Sequence, residues 1–348
     1  MGHAGSNFLA GLFLLCSRRA LCDNPIERAG LSMKVKFWGV RGSLPTPGPK
    51  TARYGGNTTC LQVLRDSGPL IVLDAGTGVR ELSDHLMKSV KPPYDIRMLV
   101  THTHWDHIHG FPFFVPIYVP GSQIEVYGIG PLHHGKSFER VMRDQMTYSY
   151  FPVENTMLDD TVKYFDFNDL FKHREGGVEG HFKLTPEVTV HLKITNHPVF
   201  CLAYKLEADG KKFIFTGDHE PYYDTNSPGG ESTDTEARAL VELMNDRFIE
   251  FCEGVDLLVI DTTYTEAEYN GQPGKPHTSK RGWGHSTFEY NIGLAKRAKV
   301  RKLALTHHDP TRTDDDLDRL MDKYAALAKR EIPGVEVFAT REGMVVDV

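Results

Sequence analysis

Residues 101–110 read THTHWDHIHG and set four metal-binding side chains, His102, His104, Asp106 and His107, directly behind the apolar run RMLV. In an extended segment, side chains two positions apart point to the same side, so His102 and His104 suit one centre. Asp106 and His107 follow where the chain turns toward a helix, and adjacent residues there diverge enough to serve a second centre. Imidazole and carboxylate without thiolate match zinc, with manganese or iron also allowed by ligand type. A merely solvated polar loop does not explain so dense a set of ligand types behind a buried strand.

The elements that must position these groups repeat one feature. The strand-like runs LIVLDAGTG, VTVHLKITNH, KKFIFTGDH, DLLVIDTTY and RKLALTHHDP each meet their loop at a His or an Asp. Strand ends that feed loops are where α/β proteins hold binding groups on a rigid support. Between some of them, GVRELSDHLMKSV, TEARALVELMNDRFIEFCEG, STFEYNIGLAKRAKV and DDDLDRLMDKYAALAKR carry apolar residues at helical spacing, with Asp314 or Asp315 placed to cap the last. The pattern predicts a mixed α/β layered domain without an internal repeat.

The HxHxDH motif at 102–107, with VKFWGVRGS from 35, DAGTG at 74–78 and the later His and Asp positions in order, resembles the metallo-β-lactamase superfamily of hydrolases over roughly residues 34–347. The resemblance implies a four-layer αβ/βα sandwich holding two divalent metal ions. Carried over by motif, His102, His104 and His197 hold one ion, Asp106, His107 and His307 hold the other, and Asp218 bridges them. His308 competes with His307, which is preferred because it follows its strand as LTH; His219 neighbours Asp218. Asp74 is expected to anchor a tight turn beneath the site and to hydrogen-bond a ligand. Asn57, in YGGNTTC, is expected to order a nearby loop.

Two divalent ions about 3.5 to 4 Å apart bring the pKa of a bridging water toward neutrality and clamp substrate oxygens on both sides of an in-line displacement. Asp106 is counted with the catalytic groups for its part in such a site. No GxSxG elbow or CxxC pair competes as nucleophile. Outside the ligands, His285 in GHST is the expected acid for the leaving group, oriented by Asp261 of VIDTTY. Ribonuclease Z-type enzymes have a similar GHST histidine paired with an acidic residue, although their acidic segment reads HEAT where this chain has DTTY. The alternative is that His285 and Ser286 only cap a helix. Lys275, Lys280 and Arg281, in the acid-free loop 269–283, are placed to gather an anion, and FPFFVPIY at 111–118 either walls the pocket or belongs to the core.

GHST and LTHHDP favour phosphodiester hydrolysis. The short span from His197 to Asp218 leaves no room for a long tRNA-gripping arm, so a small or cyclic nucleotide-type phosphodiester is the expected substrate. A ribonuclease Z-like RNA endonuclease and a thioester or lactone hydrolase are the alternatives, and a non-catalytic nucleotide-binding module with a structural ion is a further one. Residues 110–185 read as a long insertion over the mouth of the site that sets specificity or mediates a homodimer. The formal charge of −6 excludes a polybasic nucleic-acid scaffold, and five scattered cysteines give neither a disulfide framework nor a thiolate zinc site. Residues 1–32, including FLAGLFLLC at 8–16, read as an extension or misassigned start before a hydrolase domain at 33–348. The apolar run is too short to span a bilayer, so no membrane partner and a cytoplasmic location are expected.

Overall fold

Strict alternation of apolar side chains organises the computed structural model of the chain, which describes residues 33–130, 135–172, 178–227, 234–272, 275 and 278–348. In β3 (Leu70–Leu73), Ile71 and Leu73 face one core while Val72 faces another; in β10 (Lys211–Phe215), Phe213 and Phe215 face inward and Ile214 outward. A strand buried on both faces needs covering on both sides, and each sheet meets that need in the same way.

The first sheet runs β14-β1-β2-β3-β4-β5-β6, where β1 is Lys34–Gly39, β2 Cys60–Leu64, β4 Asp95–Leu99, β5 Gln123–Gly128, β6 Val162–Asp166 and β14 Val345–Asp347. The second runs β13-β12-β11-β10-β9-β8-β7, where β7 is Gly180–Lys183, β8 Thr189–Ile194, β9 Leu202–Ala208, β11 Leu257–Asp261, β12 Lys302–Thr306 and β13 Glu336–Ala339. Read from β14 and from β7, each sheet has three antiparallel junctions followed by three parallel ones.

The inner core between the sheets joins Phe37, Leu61, Leu73 and Leu99 to Tyr204, Phe213, Phe215 and Val259. Outside the first sheet, α1 (Val79–Ser89) packs Leu82 and Leu86 on Val72 and Met98. Outside the second, α5 (Thr235–Phe251), α7 (Phe288–Ala298) and α8 (Asp314–Glu331) contribute Phe248, Ile292 and Tyr324 to a third core with Ile214, Leu258 and Leu305. The result is the four-layer αβ/βα sandwich. Among the described residues, no helix is long and apolar enough to cross a membrane.

Two expectations change, and one open alternative is decided. Thr313, not Asp314 or Asp315, caps α8: its hydroxyl accepts from Asp316 N at 3.2 Å, and the Asp316 carboxylate accepts from Thr313 N at 2.8 Å. Asp314 instead turns inward and accepts the backbone N–H of Arg53 and of Tyr54. Residues 110–185 are not a simple insertion, because β5 and β6 extend the first sheet in parallel register and β7 starts the second. Within FPFFVPIY, Phe111, Phe114 and Ile117 are fully buried in the outer core, leaving Phe113 and Val115 exposed. Residues 1–32, with the apolar run at 8–16, lie outside the described residues.

One buried contact ties the sheets together behind the HxHxDH motif. The Tyr204 hydroxyl of β9 donates to the Val100 carbonyl at 2.5 Å, two residues before His102. Tyr204→Phe strands that carbonyl in the core and is expected to lower stability by about 1–2 kcal/mol in urea unfolding. An unchanged unfolding midpoint would show that the carbonyl finds another partner.

Candidate metal centre

The parallel strands deliver their loops to one edge. From the first sheet, Asp74 follows β3 and His102 follows β4; from the second, Asp218, Asp261 and His307 lie at the ends of β10, β11 and β12. His104 caps the short helix α2 (Trp105–Ile108), which carries Asp106 and His107, and His197 lies in the loop after β8. Gly217 makes the last approach possible, since at φ 58° a Cβ there would meet the Thr101 side chain at 2.7 Å.

His102, His104, His197 and Asp218 offer ligand atoms within 4.8 Å of one another, and so do Asp106, His107, Asp218 and His307. Asp218 belongs to both groups through different oxygens. Its Oδ2 lies 3.6 Å from His102 Nε2 and 3.8 Å from His197 Nε2. Its Oδ1 lies 3.2 Å from His107 Nε2 and 3.2 Å from His307 Nε2. Asp106 Oδ2 sits 3.3 Å from His107 Nε2 and 3.2 Å from His307 Nε2, and also accepts the Ser43 N–H at 2.7 Å.

The opposite ring nitrogens are tied down, which leaves the inward ones as lone pairs. His107 Nδ1 donates to Asp74 Oδ2 at 2.7 Å. His102 Nδ1 lies 3.1 Å from the Thr101 hydroxyl, which itself donates to Asp74 Oδ2 at 2.9 Å. His307 Nδ1 lies 3.0 Å from the Thr263 hydroxyl, which donates to Asp261 Oδ1 at 2.7 Å. His197 Nδ1 donates to the Gly284 carbonyl at 3.0 Å, turning its Nε2 toward His104 Nδ1 at 3.0 Å. Such partners fix the tautomer and ring orientation of a metal-binding histidine.

Buried and without hydrogen-bond partners, His102 Nε2, His107 Nε2 and Asp218 Oδ1 all face this centre. Among the described residues, the ion pairs of Asp74, Asp106, Asp218 and Asp261 are with histidines alone, never with Lys or Arg. Burial pushes Asp106 and Asp218 upward, but His107 and His307 outweigh it and hold both carboxyls well below the usual range. Burial likewise opposes charge on His107, which Asp218, Asp106 and Asp74 nevertheless raise well above the ordinary imidazole value. Burial lowers His102 well below its usual value and His197 to about 4, the state in which an imidazole is a ligand. A carboxylate cluster that can be balanced only by forcing protons onto imidazoles fits divalent cations, which supply that charge and leave the rings neutral.

Beside this centre, His285 Nδ1 lies 2.9 Å from Asp261 Oδ2 and 3.8 Å from Asp218 Oδ2. Burial disfavours charge on His285, but Asp261 raises it to about 9. His285 and Ser286 do not cap α7; Thr287 does, accepting from Tyr290 N. His308 points elsewhere and donates to the Thr340 carbonyl at 2.8 Å, while His219 stacks on Phe248 at 3.8 Å. Asn57 is held by Glu342 and orders the loop carrying Ser43, since its carbonyl accepts from Val40 and Arg41. In the basic loop, Lys280 lies over the Trp283 ring at 4.0 Å and Arg281 over Tyr269 at 5.3 Å; residues 273–274 and 276–277 lie outside the described residues. The sequence reading missed Thr101, Thr263 and the Gly284 carbonyl, although the first two stand inside THTH and DTTY.

The family model described as "Beta-lactamase superfamily domain" matches residues 70–308. Ribonuclease Z of Brevibacillus brevis is 25% identical over 335 residues, covering 88% of this chain and 94% of that protein. The metallo-beta-lactamase fold protein YhfI from Bacillus subtilis superposes with a TM-score of 0.59 at 18% identity, covering 91% of this chain and all of that one. The short form of human tRNase Z does so with a TM-score of 0.54 at 19% identity, covering 90% and 98%. These two structural likenesses concern the fold.

Asp74 serves both ligand groups, through His107 directly and through Thr101 to His102. Asp74→Asn sets an amide N–H₂ against one of these donors, and is expected to weaken retention of both ions by about 10–100-fold while the sandwich stays folded. Elemental analysis after graded chelator treatment, with circular dichroism alongside, measures this. Full retention of both ions would remove the supporting role given to Asp74.

Proposed function

Because the chain belongs to the beta-lactamase superfamily and is a metal-dependent hydrolase of ester-type bonds, we propose that it hydrolyses phosphodiester bonds, with RNA as the first substrate. The observation that carries this reading is the placement of His285, clamped by Asp261 at 2.9 Å and 3.8 Å from the carboxylate shared by the two ligand groups. His102, His104, His197 and Asp218 hold the first ion, and Asp106, His107, His307 and Asp218 the second; zinc suits this imidazole and carboxylate set. When bound, the pair of ions supplies an activated water and neutralises phosphate charge.

The chain's own residues do the rest. Asp261 fixes His285 through Nδ1, so Nε2 is the nitrogen that hands a proton to the departing oxygen. The same Asp261 accepts from Thr263, the partner of His307, so His285 and a residue that would hold the second ion are oriented from one carboxylate. The Ser43 N–H fixes Asp106 through Oδ2, the same oxygen that faces His107 and His307.

RNA takes precedence over the small or cyclic phosphodiester expected from the sequence, because ribonuclease Z of Brevibacillus brevis aligns along 88% of the chain. The small substrate stays as a second reading on one observation. Between His197 and Asp218 the chain makes only β9 and β10, joined by the tight turn at Asp209 and Gly210, and so builds no arm there.

With zinc- or manganese-loaded enzyme, bis-p-nitrophenyl phosphate and a structured RNA with a 3′ extension are expected to be cleaved, while a thioester and a lactone are not. Cleavage of cyclic nucleotides but not RNA would move the assignment to the second reading, and inactivity on every phosphodiester would end it. His285→Ala is expected to keep both ions and lose about 10²- to 10⁴-fold in kcat. Loss of an ion from that variant would instead make His285 a ligand.

A further inference from the structure

Glu220 lies two residues beyond Asp218, is 2% exposed, and forms no ion pair among the described residues. Its carboxylate accepts three hydrogen bonds. Oε1 takes the Tyr269 hydroxyl at 2.6 Å and the Gly282 N–H at 2.7 Å, and Oε2 takes the Gly284 N–H at 2.8 Å. Tyr269 comes from α6 (Glu266–Asn270), so the three donors arrive from one helix and one turn.

That turn presses directly on a candidate ligand. The Gly284 carbonyl receives the His197 Nδ1–H at 3.0 Å, and a Cβ on Gly284, where φ is 85°, would stand 2.1 Å from that same nitrogen. Only glycine lets the peptide lie this close to the ring. The next residue is His285. One buried carboxylate thus fixes the peptide that orients His197 on one side and starts the segment carrying the candidate acid on the other.

We propose that Glu220 is a positioning residue for the first metal site, holding the 282–284 turn so that the Gly284 carbonyl sets the tautomer and direction of His197. It touches neither ion nor substrate. Three donors converge on it, and only a carboxylate accepts them all; an amide accepts at one atom and presents N–H₂ to the rest. The inference rests on the reading of His197 as a ligand, and is independent of which ester is cleaved.

Glu220→Gln keeps size and shape, and in zinc-loaded full-length protein treated with graded chelator it is expected to release one equivalent at about 10-fold lower chelator or less, with the second retained as in the unmodified chain. In a His197→Ala background the same change is expected to have no further effect, because the contact it acts through is already gone. Retention of both ions, equal loss of both, or an additive loss in that background would each overturn the proposal. If Glu220→Gln does not fold, Gly284→Ala tests the contact from the ligand side: selective loss of one equivalent supports it, and equal loss or none overturns it. Metal retention needs no substrate, so a chain that shows the selective pattern yet cleaves no phosphodiester would keep this inference and lose only the assigned activity.

Discussion

Four carboxylates, those of Asp74, Asp106, Asp218 and Asp261, are buried around one centre with imidazoles as their ionic partners. Burying an unbalanced carboxylate costs several kcal/mol, so this arrangement demands cations, and its imidazoles can provide them only by taking protons against their own desolvation. Two divalent ions would meet the demand and leave the imidazoles neutral, and the two ligand groups are consistent with such a pair. The surrounding backbone is shaped to the same end. Asp74 and His307 both take left-handed conformations, with φ of 59° and 60°, immediately after a strand. Each such residue costs about 1–2 kcal/mol, and here each brings its side chain to the centre, Asp74 onto His107 and His307 beside Asp106 and Asp218.

Neither sheet holds the centre alone. Asp74, His102, His104, Asp106 and His107 follow strands of the first sheet, whereas His197, Asp218, Asp261 and His307 follow strands of the second. Both sheets show the same succession of antiparallel and parallel junctions, and their parallel strands aim at a common edge. The inner core that joins them, from Phe37 and Leu73 to Phe213 and Val259, therefore sets the separation of the two halves of the ligand set. Metal binding and the stability of the sandwich are linked through that core, since ions that bind the assembled centre stabilise the state in which the sheets are docked.

The parts of this arrangement that follow from local chemistry were legible in the sequence. HxHxDH places ligands by spacing alone, and the recurring strand ending in His or Asp marks the edge where the loops gather. The doubly matched topology was not legible, because the two sheets share directions of pairing and not side chains. The supporting shell was only partly legible. Asp74 could be placed by its turn, but Thr101 and Thr263 act by relaying a hydrogen bond from an imidazole to a carboxylate, which depends on the approach of neighbouring strand ends within a sheet. Glu220 and Gly284 are farther from any pattern still: 64 residues separate them, and their tie appears only once α6 and the 282–284 turn have packed. Residues 110–185 misled for the opposite reason: β5 ends in Gly128, and β6 ends in Asp166, whose carboxylate accepts the Gly130 and Phe138 N–H groups and does not reach the centre, so the two pass for a loop until the parallel register is seen.

Asp261 connects the chemistry to the metal-facing framework. Oδ2 takes the His285 Nδ1–H at 2.9 Å, and Oδ1 takes the Thr263 hydroxyl, which in turn meets His307 Nδ1. A single carboxylate, fully buried and ending β11, therefore reaches both His285 and, through Thr263, His307. Shared anchoring has a geometric consequence: the His285 and His307 rings both take their orientation from the end of one strand. Chains of hydrogen bonds in a low-dielectric interior also polarise one another, so the His285 and His307 rings are coupled through Asp261 and Thr263. Asp261 itself ends a strand in the middle of its sheet, between β10 and β12, whose ends lead to Asp218 and His307.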